Sequence, residues 1–162
     1  MNLPFLVRRI LVPIYCSEFS RYAAEVAVRL AHTYGAQLLF LHVVDEQVVD
    51  ALAQREADGE RQVRERLSEH GHVYLQNVSR LAEEHGVAHR EAVDAGDPCA
   101  VICDTATRSD VDLIVMGKIG RRGARRILMG SITRGVIECS DRAVLVITGP
   151  PRTIEPPLPS QN

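Results

Sequence analysis

The chain has 162 residues, a formal net charge of −2, and 46% hydrophobic and 25% charged residues. That length suits one domain with a sizeable core. The weakly acidic balance argues against a general nucleic-acid or membrane-surface binder, so any anion site has to come from a local cluster of cations.

In chain order, MNLPFLVRR places a short apolar stretch ahead of its arginines. A secretory signal has a longer apolar region with its positive charge in front, and no run here approaches a membrane span. A soluble cytoplasmic protein is therefore expected. RILVPI at 9–14 is the first of four apolar runs; the others are LLFLHVV at 38–44, DLIVM at 112–116 and AVLVIT at 143–148. All are rich in Val, Ile and Leu and nearly continuous, as strands buried on both faces of a parallel sheet read. Ser17 is placed to cap a helix carrying Tyr22, Ala23, Val26, Ala27 and Leu30 at helical spacing, and Gly35 to end it. A longer stripe, Val63, Leu67, Tyr74, Val78 and Leu81, lies within 58–86, with Gly71 as an interior weakness where the helix could break. VAHREAVDAG at 87–96 reads as a weaker strand, polar enough for a sheet edge. Asp97 and Pro98 predict the N-cap and first residue of the next helix, which carries Ala100, Val101 and Cys103. A last helix is expected from about Ser131, with Ile132, Val136 and Ile137. The proline-rich tail at 149–162 is expected to be disordered, leaving 1–148 as a single α/β domain.

Alternating strands and helices predict an open, doubly wound α/β sheet with right-handed crossovers. In such sheets a ligand binds beyond the strand C-termini, where the strand order reverses. If the first strand neighbours the fourth, PIYCS at 13–17 meets the segment MGKIGRRGARRILMGSIT at 116–133 in that crevice. In this segment Gly117 is read as a place where a ligand approaches the backbone, and Gly120 and Gly123 as positions that allow positive φ. Gly130 and Ser131 open the last helix, whose free N–H groups and dipole favour an anion. The hydroxyls of Ser131 and Thr133 add donors, and Arg121, Arg122, Arg125 and Arg126 add charge. A flexible loop with a solvated basic face is the plainer reading, but it does not require Gly-Ser at a helix start.

Other chemistry finds less support. GxxxxGK[ST], an early GxGxxG and GxSxG are all absent. Asp45 with Glu46, and Asp94 with Asp97, read as solvated loop acids, and His70 and His72 as solvated surface residues. Neither a catalytic residue nor a metal site is assigned. Cys16, Cys99, Cys103 and Cys139 form no CxxC pair. Cys99 and Cys103 stand at i, i+4, a spacing open to a redox or metal pair, but they read better as small buried hydrophobes in a reduced cytosol.

On these segments the chain resembles the universal stress protein family. The family motif G-x2-G-x9-G-[ST] stands here as Gly117, Gly120, Gly130 and Ser131 at the same spacing, and the likeness runs from about Arg8 to Ile147. The resemblance implies a Rossmann-like five-stranded parallel sheet in the order 3-2-1-4-5, a homodimer, and the branch of the family that binds ATP. Carried over, Gly117, Gly120, Gly130, Ser131 and Ile132 would line the phosphates and ribose, and Pro13, Val43 and Met116 would contact adenine. Tyr15 and Cys16 stand where the family usually has Asp and Gly. That Asp typically binds the adenosine portion, so Tyr15 is expected to leave binding weakened but present, its ring packing on the base. The function implied is a dimeric stress-response regulatory protein that binds ATP or AMP, with or without Mg2+, and acts on an unknown protein partner. The apolar last strand, at 144–147, would pair the two copies. Catalysis is expected to be at most an incidental ATP hydrolysis. Two alternatives stand beside this: a slow ATP hydrolase, and a ligand-free interaction module that lost nucleotide binding at Tyr15.

Overall fold

The computed structural model describes residues 6–56, 59–118 and 129–151. The elements run β1 (Arg9–Pro13), α1 (Glu18–Tyr34), β2 (Gln37–Asp45), α2 (Glu46–Glu56), α3 (Glu60–Glu84), β3 (His89–Gly96), α4 (Pro98–Arg108), β4 (Leu113–Gly117), α5 (Ser131–Cys139) and β5 (Ala143–Ile147). The strands form one sheet in the order β3-β2-β1-β4-β5, and every pairing is parallel. Ile10 lies beside Leu38 on one side and Leu113 on the other, so the order reverses between β1 and β4. The polar β3 and the apolar β5 are the two edges.

The near-continuous apolar runs follow from this layering. Successive strand residues point to opposite faces, and helices cover both faces of β1, β2 and β4, while the edge strand β5 leaves Ala143 and Leu145 exposed. Ile10, Val12, Leu38, Phe40 and Val115 pack with α1 and α3, whereas Leu11, Leu41, Val43, Ile114 and Met116 pack with α4 and α5. Local signals set the helix ends. The Ser17 side chain accepts the Ser20 N–H, the Asp97 side chain accepts the Ala100 N–H, and Gly35 closes α1 at φ 67. The buried face of α1 is Ala23, Ala24, Ala27, Val28 and Ala31, with Tyr22, Val26 and Leu30 at its margin.

Three expectations are corrected. No element was expected between β2 and 58, yet α2 follows β2 directly. It buries only Val49, which joins Val44 and Val63 in a small cluster of its own, so its apolar pattern is weak in the sequence. Glu46 is not a solvated loop acid but grips Arg64 of α3 with two hydrogen bonds of 2.8 and 2.9 Å. That bond and the Arg64 charge hold its carboxyl below the usual range. The third correction is that α3 does not break at Gly71. Gly71 is buried, and a Cβ there would stand 2.2 Å from Cδ2 of His42. Glycine lowers helix propensity but lets α3 lie against β2. Gly71→Val is therefore expected to destabilise the protein by about 2 kcal/mol, because overpacking of about 1–3 kcal/mol exceeds the few tenths gained in propensity. Urea unfolding of the two proteins measures this, and an unchanged midpoint would contradict the close packing.

Residues 152–162 of the tail expected to be disordered lie outside the described residues. Among the described residues no helix is long and apolar enough to cross a membrane.

Candidate functional site

The chain leaves β1 through Ile14, Tyr15 and Cys16 and leaves β4 through Gly117 and Lys118, on the same side of the sheet. A cleft of about 640 Å³ opens between them at the reversal of strand order. Nine of the residues singled out from sequence line it together: Pro13, Tyr15, Val43, Met116, Gly117, Gly130, Ser131, Ile132 and Thr133. Gly120 and Arg121, with Gly123, Arg122, Arg125 and Arg126, lie outside the described residues.

One end of the cleft is built to meet an anion. Helix α5 starts at Ser131 behind Gly130, whose lack of a side chain leaves the helix without a side-chain cap. The first helical bond runs from the Arg134 N–H to the Gly130 carbonyl at 3.0 Å, so the N–H groups of Ser131, Ile132 and Thr133 have no acceptor within the helix. Gly130 is tied down by its own N–H, which donates to Lys118 O at 2.9 Å. Arg134 also lines the cleft and adds a cation beside the positive end of the helix. Pro13, Val43 and Met116, all nearly fully buried, supply an apolar part of the lining.

Two of the assigned roles change. Gly117 does line the cleft, but its missing side chain serves α1. A Cβ there would stand 2.7 Å from the Phe19 carbonyl carbon and 2.8 Å from its oxygen, so glycine lets the first turn of α1 close on the end of β4. Thr133 is buried, and its hydroxyl donates to the Gly117 carbonyl at 2.9 Å. The proton expected to reach an anion instead fastens α5 to β4, while Ser131 stays exposed on the first turn.

Tyr15 is held by its backbone N–H, which donates to Ser20 Oγ at 3.0 Å, and its ring lies 6.3 Å from that of His42. Its hydroxyl is buried without a hydrogen-bond partner among the described residues. Burial first, then the charge of Asp45, raises its pKa far above the usual tyrosine value, so the group remains a neutral donor. A buried donor without an acceptor costs about 1–3 kcal/mol. Tyr15→Phe is accordingly expected to stabilise the ligand-free protein by about 1 kcal/mol, read from urea unfolding. A destabilised Tyr15→Phe would mean that the hydroxyl is satisfied within the protein.

Residues that sequence reasoning missed come mostly from β2 and α3. His42, Asp45, His70 and Tyr74 line the cleft with Cys16 and Ser20. Burial lowers the pKa of His42, against the opposing effect of the hydrogen bond between Nδ1 and Ile14 O at 2.9 Å. The ring is thus neutral, and it pins the turn after β1 to β2. Asp45 Oδ1 accepts the Gln47 N–H at 2.9 Å and so starts α2. For His42 and Asp45 the available signal was positional, since both lie toward the C-terminal end of β2 beside the reversal, whereas His70 and Tyr74 lie on α3 and carried no such signal.

A doubly wound sheet with its cleft at the strand reversal and a helix N-terminus aimed into it defines a Rossmann-like α/β protein. The chain belongs to the universal stress protein family, whose family model matches residues 7–148. It is 34% identical over 146 residues to universal stress protein MJ0531 of Methanocaldococcus jannaschii, covering 90% of this chain and 84% of that protein. The solved structure of MJ0577 from the same organism superposes with a TM-score of 0.78 at 27% identity, covering 88% of this chain and 96% of the other. A universal stress protein from Archaeoglobus fulgidus, solved in complex with dAMP, shares the fold with a TM-score of 0.61 at 19% identity, covering 88% of this chain and 99% of that one.

Proposed function

We propose that this chain binds an adenine nucleotide, ATP or AMP, in the cleft and acts as a homodimeric stress-response regulator. The observation that carries the reading is the uncapped N-terminus of α5 opening on a cleft that buried apolar residues partly line. Phosphates would meet the N–H groups of Ser131, Ile132 and Thr133, and the base would lie against Pro13, Val43 and Met116, with Tyr15 beside it. The dAMP held by the Archaeoglobus relative supports adenine as the base. A divalent cation such as Mg2+ could accompany the triphosphate without a protein ligand of its own. Regulation is favoured over catalysis, because Asp45 and His42, two of the titratable groups of the cleft, have structural duties: Asp45 starts α2 and His42 holds the turn after β1.

The second edge of the sheet supports the dimer. β5 leaves Leu145 38% exposed and, among the described residues, is covered by no further strand, an arrangement that invites pairing with a second copy about a two-fold axis through 144–147. The test of the nucleotide reading is the mass of any small molecule released when the purified protein is denatured, followed by calorimetric titration of the emptied protein with ATP, AMP and adenosine. Micromolar or tighter binding of ATP or AMP is expected. Failure of both to bind would favour the ligand-free interaction module, and steady product formation over hours would favour the hydrolase.

A further inference from the structure

Three sulfurs that are far apart in sequence meet where α4 and α5 pack. Cys99 and Cys103 stand one turn apart on α4, and Cys139 ends α5. Cys139 Sγ lies 3.1 Å from Cys99 Sγ and 3.2 Å from Cys103 Sγ, and all three sulfurs lie within 4.8 Å of one another. The helices come this close because residue 135 is glycine; a Cβ there would stand 2.8 Å from Cys99 Sγ. The Cys139 thiol also donates to Gly135 O at 2.7 Å, which turns the sulfur inward toward α4. Contrary to the expectation of buried hydrophobes, Cys99 and Cys103 are only half-buried and Cys139 is exposed, so a solute reaches the group.

We propose that Cys99, Cys103 and Cys139 bind a soft, thiophilic d10 cation through three thiolates, with monovalent copper the best fit. A disulfide would use two of these sulfurs and leave the third idle, whereas Cys139 here shares its position equally between the other two. Thiolate sulfur selects monovalent copper and zinc among the biological cations. With sulfur–metal bonds of about 2.3 Å, three ligands in one plane stand about 4 Å apart. The two pairs that Cys139 makes, at 3.1 and 3.2 Å, would open by a little under ~1 Å to reach it, which rotation of the Cys139 side chain on its exposed helix end can supply. Among the described residues no histidine or carboxylate completes a fourth corner, so the set is not the closed tetrahedral site of structural zinc. Each sulfur loses its proton to solvent as its bond to the cation forms, and no sulfur changes oxidation state. The bound cation would join the first two turns of α4 to the last turn of α5. The sequence offered only the i, i+4 pair; the third ligand arrives 36 residues later by helix packing.

The test uses the full, reduced chain under anaerobic conditions, titrated with Cu(I) against a chromophoric bicinchoninate chelator and, separately, with Zn2+. One equivalent of Cu(I) is expected, with an ultraviolet thiolate-to-copper band and protection of three of the four thiols from alkylation. Losing a group one step removed from a metal costs about 10- to 100-fold, so losing a ligand should cost more than about 100-fold. Cys139→Ser, at an exposed position, tests this with little risk to the fold, and Cys103→Ser provides a second variant. Copper affinity unchanged in folded Cys139→Ser, or protection of two thiols only, would overturn the site. Tighter binding of Zn2+ than of Cu(I) would overturn the three-coordinate monovalent assignment.

Discussion

Replacing Gly130 by valine is expected to abolish binding of ATP and AMP while leaving the fold intact. Gly130 is the N-cap of α5 with φ −67 and ψ 151, extended backbone that valine adopts without strain. Its branched side chain would stand over the N–H groups of residues 131–133, where the proposed phosphates would lie. The helix itself loses little, about 1 kcal/mol or less for an apolar cap in place of glycine. For a domain of this size that corresponds to a melting shift of about 2–4 °C. The expected loss of nucleotide affinity is at least about 100-fold, close to 2.7 kcal/mol. Adenosine has no phosphate and should bind parent and variant alike. Calorimetry of the two proteins with all three ligands is the measurement, alongside circular dichroism. ATP affinity that survives in folded Gly130→Val would remove the phosphates from the α5 terminus.

Val146→Pro is expected to turn a dimer into a folded monomer, and the ladder geometry selects that residue over its neighbour. The Lys118 N–H donates to Ile147 O at 2.8 Å, so the backbone of Ile147 faces β4. Peptide groups alternate sides along a strand, so Leu145 also faces β4, while Val144 and Val146 present their N–H and C=O groups to the open edge. Proline at 146 removes a donor from that edge without touching the β4 ladder. Proline at 145 would remove a donor from the β4–β5 ladder itself and is expected to destabilise the monomer. Sedimentation at about 10 μM should therefore show a dimeric parent and a monomeric Val146→Pro. A monomeric parent, or a dimer that persists in Val146→Pro, would rule out pairing through β5.

How legible the molecule was depended on how local each signal is. Ser17, Gly35, Asp97 and Pro98 act within a few residues of themselves, and the structure uses each as read. The runs of β1, β2 and β4 read as continuous because those strands are buried on both faces, whereas the equally apolar β5 is an edge strand that leaves Ala143 and Leu145 exposed. Helix α2 left little trace, since it buries one residue and is steadied by Arg64 eighteen positions away. Gly71 read as a defect because propensity is local, whereas the His42 ring that requires a glycine there comes from another element. The cleft was foreseen as a place, at the reversal of strand order, and its β1, β4 and α5 residues followed from that. His42, Asp45, His70 and Tyr74 did not, because nothing in the sequence says how far β2 and α3 lean over the same end of the sheet.

By itself the sequence determined the class of fold, the strand and helix starts that depend on caps and hydrophobic runs, and a spaced glycine pattern shared with the universal stress protein family. Each of these is set by short-range sterics, hydrogen bonding or periodicity. Only the tertiary structure decided which job each of these residues does. It showed that Gly117 makes room for Phe19, that the Thr133 hydroxyl is spent on Gly117 O, and that Cys139 joins the Cys99 and Cys103 pair. Those outcomes depend on distances between elements that are remote in the chain. Such distances are set by how whole faces pack against the sheet, and no short window of residues carries that information.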